Sequence, residues 1–128
     1  IEVVSSRFAD FRKQDGLSLL ADALSNGAFV YGAGKTEGFQ IDQSRQEVHL
    51  YFDDRQVANT VGGNPAQDIL RLLTWLANHT AARCGGLRAG QMVTTGSCTG
   101  LLFADPQTEV LASFRGLGHA GMRFCDEI

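Results

Sequence analysis

Gln46-Glu47-Val48-His49-Leu50-Tyr51-Phe52-Asp53-Asp54-Arg55-Gln56-Val57-Ala58-Asn59-Thr60-Val61 decides the fold. Val48, Leu50 and Phe52 alternate with Glu47, His49 and Tyr51. A strand puts the first three on one face and the second three on the other. Asp53-Asp54 is turn chemistry, and residues 55–61 can return as the second strand of a hairpin. One face of that hairpin is apolar and needs a cover.

The C-terminal side offers a helix. Asn64 is a good N-cap and Pro65 a good first helical residue, because the N–H that proline lacks would be an orphan there. Ile69, Leu72, Leu73, Leu76, Ala77 and Thr80 recur at helical spacing, and Gly85-Gly86 stops the run. The stripe over 69–80 is expected to pack on a sheet containing strands 47–52, 91–95 and 119–124. Residues 109–114 form a further strand candidate. Asp105-Pro106 turns between 91–95 and 109–114, and Gly116 and Gly118 turn between the last two strands. On the N-terminal side, residues 1–5 are β-branched and strand-like, and 7–15 read as a short helical turn or a loop. Residues 16–26 have mostly helical spacing stopped at Asn26-Gly27, and 28–31 suit a short strand. There is no internal repeat and no linker. Strands outnumber helices and cluster on either side of the long helix, which favours α+β over a doubly wound sheet.

The chain has 128 residues, a length that suits one domain over 1–128 with one core. Hydrophobic residues make up 44% and charged residues 20%, which argues against disorder. Lys and Arg number 11 against 14 Asp and Glu, so the chain lacks the basic surface a nucleic-acid partner requires. No apolar run approaches the roughly 20 residues that cross a bilayer, so no membrane partner is expected. The start, Ile1-Glu2-Val3-Val4-Ser5-Ser6-Arg7, has no signal-peptide order and no initiator Met, and it reads as a processed chain or a piece of a longer one. Cys84, Cys98 and Cys125 are odd in number and widely spaced, without a CxxC pair. Reduced thiols in the cytoplasm are expected. No His or Asn near Cys98 sets up a nucleophile, so it reads as a small packed thiol.

Several features bear on chemistry. Gly62-Gly63-Asn64 precedes a helix start, where anions can bind, and a tight turn explains it as well. Thr94-Thr95-Gly96-Ser97-Cys98-Thr99-Gly100 carries four hydroxyls and two glycines. Its N–H groups and hydroxyls could converge on an anionic substrate, or it is a polar loop. His49, His79 and His119 have no ligand partner at metal spacing and read as non-ligands. The pairs Asp53-Asp54 and Asp126-Glu127 read as solvated surface. Glu2 stands inside an apolar strand pattern, where a carboxylate is costly unless paired, metal-bound or facing solvent at a strand end.

Two segments resemble the C-terminal half of the hydratase/decarboxylase branch of the fumarylacetoacetate hydrolase superfamily. Glu2-Val3-Val4-Ser5-Ser6-Arg7, with Ala21-Asp22-Ala23-Leu24-Ser25 and Phe29-Val30-Tyr31-Gly32, is similar to its "E-[IVL]-[IV]-D-S-R" strand and "A-D-N-A-S…F-V-L-G" segment. Gly62-Gly63-Asn64-Pro65, Trp75-Leu76-Ala77-Asn78, Leu87-Arg88-Ala89-Gly90, Thr94-Thr95-Gly96-Ser97 and the closing Gly116-Leu117-Gly118-His119-Ala120-Gly121-Met122-Arg123-Phe124 follow in the family's order.

The resemblance implies a mixed β-sandwich roll with the long helix packed on the sheet. It implies a metal-dependent hydratase of 2-hydroxy-2,4-dienoates (2-keto-4-pentenoate type), or a 4-oxalocrotonate decarboxylase, in meta-cleavage degradation of aromatics. Mg²⁺ or Mn²⁺ would hold the substrate's carboxylate and 2-oxygen and stabilise the enolate. By the same resemblance Glu2 matches the third metal carboxylate, Thr95 and Ser97 the substrate loop, and Arg7 the strand arginine that contacts substrate or braces the site. The family's E-x-E metal pair does not occur in the chain, Ala23 stands where Asn is usual, and Ser5 where Asp is frequent. The catalytic residues are not identified. The alternative is a non-catalytic remnant that binds small oxo-acids or serves assembly. The expected partners are a small 2-oxo or 2-hydroxy acid and further copies in a homo-oligomer.

Overall fold

The computed structural model describes residues 1–35 and 42–125. Eight elements follow in order: β1 (Glu2–Val4), α1 (Gly16–Ala21), β2 (Asn26–Phe29), β3 (Glu47–Phe52), β4 (Arg55–Val61), α2 (Ile69–Arg83), β5 (Glu109–Phe114) and β6 (Gly118–Arg123). Strands β3 to β6 form one antiparallel sheet in the order β4-β3-β5-β6, and β1 and β2 form a second, two-stranded one.

The hairpin forms where its alternation predicts. Leu50 faces Ala58 on β4 and Ala112 on β5, and Ala112 faces Ala120 on β6. Directly opposed residues share a face, so alternation on four strands gathers one apolar layer. Val48 (2% exposed), Leu50 (8%), Val110 (4%) and Ala112 (6%) are its buried centre. Phe52, Val57, Phe114 and Met122 pack around them. The turn is tied to the next strand. The Asp53 carboxylate accepts from Glu109 N at 2.9 Å, and Asp53 N donates to the Glu109 carbonyl at 2.7 Å. The Asp105–Gln107 corner also forms as expected, closed by Thr108 N donating to the Asp105 carbonyl at 3.2 Å.

Four expectations are corrected. Both sheets are antiparallel throughout, so no mixed sheet forms among the described residues. The long helix starts at Ile69 rather than at Pro65. Gln67 takes φ +58° and breaks the helical path, and Asp68 caps the helix by accepting from Arg71 N at 2.9 Å. Residues 91–95 form no strand. Their β-branched residues suit a ladder, but their neighbour is a helix, which offers no ladder partner. The helix therefore lies on the 93–96 segment instead of on a sheet. Its stripe is oriented as periodicity predicts at Ile69, Leu72, Leu73, Leu76 and Thr80, which are half-buried, whereas Ala77 is exposed, and no residue of the helix is fully buried.

The N-terminal helix is also shorter than its pattern. It ends at Ala21 because Ala23, Leu24 and Ser25 all take positive φ, 52° to 63°. Asn26-Gly27 then begins β2, whereas the sequence reading puts a helix stop there and the strand over 28–31. Tyr31 is exposed, and Gly32 runs so close to the His119 carbonyl that a Cβ would collide with it. Among the described residues no helix is long and apolar enough to cross a membrane.

Candidate functional site

The site is built where the turn before α2 meets the hydroxyl-rich loop. Gly63 takes φ +54°, and a Cβ there would stand 2.6 Å from the Cys98 carbonyl oxygen. Only glycine allows that approach. Asn64 then joins the two segments. Its Nδ2 donates to the Thr95 carbonyl at 3.0 Å, and its Oδ1 accepts from Ala66 N at 2.9 Å. The sequence reading gives Asn64 the N-cap of the long helix; the structure makes it the clamp on the loop.

Within the loop, Ser97 Oγ accepts from Thr99 N at 3.3 Å and donates to the Gly100 carbonyl at 3.2 Å. Burial pushes the Cys98 thiol up, away from the reactive thiolate form. Thr60 Oγ1, close by Gly63, is a buried hydroxyl without a hydrogen-bond partner. Beside the loop runs an apolar groove of about 410 Å³ between α2 and residues 93–96. Thr95 lines it with Leu72, Leu73, Leu76 and Val93.

Glu2 and Arg7 lie elsewhere, on the β1 segment. Glu2 is exposed and opposite Phe29. Arg7 is a brace. Its guanidinium pairs with the Asp22 carboxylate and donates to the carbonyls of Ser5, Asn26 and Asp22. Asp22 is buried and also accepts from Ser6 Oγ at 2.7 Å and Arg7 N at 3.1 Å. Those bonds, Ser6 first, hold its carboxyl below the usual range. Among the described residues no hydrogen bond or ion pair joins Glu2 to Thr95 or Ser97.

A second polar cluster occupies the face of β3 turned away from the core. His49 Nε2 lies 2.8 Å from Glu47 Oε1, His49 Nδ1 lies 3.3 Å from Tyr51 Oη, and Arg115 donates to Glu47 Oε2 at 2.7 Å. Arg115 first, then His49, holds the Glu47 carboxyl below its ordinary value. The sequence reading had placed the three β3 side chains on one face without pairing them.

No protein-family model matches the chain. Two curated proteins do, over 97% of its length and at 27% identity: the 4-oxalocrotonate decarboxylases of Pseudomonas putida and of Pseudomonas sp. strain CF600. The chain is distantly similar to 4-oxalocrotonate decarboxylase. It spans about half the length of those relatives, 47% of each. Among the described residues no three His, Cys, Asp or Glu side chains converge as a metal cluster.

Proposed function

We propose that the chain supplies the acid-binding part of a lyase that decarboxylates 4-oxalocrotonate or a close 2-oxo-enedioic acid in aromatic catabolism. The observation that carries this reading is the loop at Thr95 and Ser97, pinned by Asn64 in a chain similar throughout to two decarboxylases. Loss of CO₂ from the far end of such an acid leaves an electron pair. Conjugation delivers it to the 2-oxo oxygen as a dienolate, which a proton then quenches. The enzyme must therefore hold the 2-oxo acid end and stabilise negative charge on its oxygen. Loop N–H groups and the Thr95 hydroxyl are donors suited to the carboxylate, and the Ser97 hydroxyl joins them by turning away from the Gly100 carbonyl. Water addition to the same dienolate framework, the hydratase expectation, gives way here to decarboxylation because both relatives carry the decarboxylase name.

Mg²⁺ or Mn²⁺ bound with the substrate would supply further charge to the enolate oxygen. Glu2 is the proposed ligand. A single exposed carboxylate does not make a site for a cation that demands octahedral oxygens, so the described residues do not by themselves fit the ion.

The test is direct assay of the complete gene product for 4-oxalocrotonate consumption with CO₂ release. Thr95→Val and Ser97→Ala are expected to lower turnover by about 10²-fold each, the usual loss for one charge-stabilising donor. In the complete product Glu2→Gln is expected to abolish metal-dependent turnover with the fold intact, because charge is removed at constant shape. The 128-residue chain alone is expected to be inactive. A complete product that leaves 4-oxalocrotonate untouched would reject the reading.

A further inference from the structure

The described residues bury only four apolar side chains, while fifteen large ones are at least 39% exposed. The chain exposes 9669 Å². A compact monomer of 13.8 kDa exposes about 6,600 Å². The excess, about 3,000 Å², is well above the roughly 800 Å² that one partner contributes to a standard interface. Its size is that of a core divided between two segments.

The exposed apolar groups fall on separate elements. On α1 they are Leu17 and Leu20; on the small sheet, Val4 and Phe29; on α2, Leu70 and Trp75. A two-fold contact with a second copy buries one self-complementary patch and leaves the other elements open. The small sheet is incomplete in another sense. Among the described residues it has two strands, each with an unpaired edge, and a two-stranded sheet is marginal in water. The α2 groove has no charged residue in its lining, so its occupant is apolar. The similar proteins are about twice as long as this chain.

We propose that the α2 groove and the open edges of β1 and β2 seat one complementary polypeptide, lying outside these 128 residues and corresponding to the portion of 4-oxalocrotonate decarboxylase that the chain does not match. It adds a strand to the small sheet by backbone pairing. Its apolar side chains fill the groove against Leu72, Leu73, Leu76 and Val93. The four-stranded sheet has its own core and stays ordered without it. The inference rests on burial and length, so it stands or falls separately from the identity of the acid.

The chain has a single tryptophan, and Trp75 lines the groove, so its fluorescence reports the seat without a label. The 128-residue chain is mixed with the unmatched portion of the P. putida protein, made as a separate polypeptide, at about 50 µM each, a concentration that detects weak complexes. The expected result is a 1:1 complex by sedimentation and a shift of Trp75 emission to shorter wavelength. Amide exchange should slow by about 100-fold in α2, β1 and β2, with little change in β3 and β5. Leu73→Asp should weaken the complex at least about 10-fold and leave β3 and β5 exchange as it was. Three results would overturn the proposal: no complex; α2 as protected in the isolated monomer as β3; or self-association of the chain that protects α2 unaided, which makes a second copy the occupant.

Discussion

The Asn64 side-chain amide holds the Thr95 carbonyl at 3.0 Å while its oxygen takes the Ala66 N–H at 2.9 Å. One residue thereby fixes the turn before α2 to the loop proposed to bind substrate. Asn64→Asp keeps the acceptor and loses the donor; Asn64→Ala loses both. Each lost bond is expected to cost about 1 kcal/mol. Amide exchange at Gly96 to Cys98 should quicken in both variants, while Ala66 should quicken only in Asn64→Ala. Unchanged exchange in the loop of Asn64→Asp would show that the clamp holds nothing.

Glu47 makes the sheet sensitive to acid. Its carboxyl is held below the ordinary value of 4.5 by Arg115 first and His49 second. A depressed carboxylate contributes stability that is complete above the unfolded-state value and is lost as pH falls through the folded one. Urea midpoints measured from pH 7 down to pH 3 should therefore fall at the acid end in the native chain. Glu47→Gln should flatten part of that slope, leaving the share due to the other depressed carboxyls, Asp22 (by Ser6 first), Asp15 (by Ser18 first) and Asp42 (by Ser44 first). Equal slopes in the two proteins would remove Glu47 from the account.

Two leucines that look alike in sequence should behave differently. Leu50 is 8% exposed at the centre of the sheet core, so Leu50→Ala should cost about 2–5 kcal/mol. Leu73 is only half-buried beside an open groove, so Leu73→Ala should cost less than about 2 kcal/mol in the isolated chain. Urea denaturation monitored on the sheet tests both. Equal losses would mean that α2 already belongs to the core.

The contrast marks what the sequence could tell. Alternation over 47–61 has one consistent reading, because both strands and the turn between them agree, and the hairpin formed as read. The stripe on α2 was legible as a direction but not as a destination. Periodicity says which side of a helix is apolar, and it does not say what covers it. Residues 91–95 show the same limit from the other side. Their propensity suits a strand, but a strand needs a free ladder edge, which no composition reveals. Asn64 was misplaced because asparagine caps a short turn as readily as a helix, and nothing local announces that Gln67 will take a positive φ. Of the site, Thr95 lines the groove and Ser97 shares its loop. The bracing of Arg7 by Asp22 depends on residues 15 apart in sequence and could not be read from either. The Glu47–His49–Tyr51 pairing had a signal, the i, i+2, i+4 spacing of polar groups on one face of a strand.

Cys98 gives the last prediction. All three cysteines are free thiols; Cys84 and Cys125 are exposed, whereas Cys98 is half-buried in the loop against Gly63. Burial raises its thiol above the ordinary value, with desolvation the cause. Alkylation proceeds through the thiolate and requires access, and both factors act against Cys98. Iodoacetamide labelling at pH 8, followed by peptide mass spectrometry, should modify the exposed Cys84 and Cys125 faster than the half-buried Cys98. Denaturing the protein should equalise the three rates. Asn64→Ala, which frees the loop, should speed Cys98 selectively. A Cys98 that reacts first in the native chain would mean that the loop activates its thiol, and the packed-thiol account of this residue would have to be abandoned.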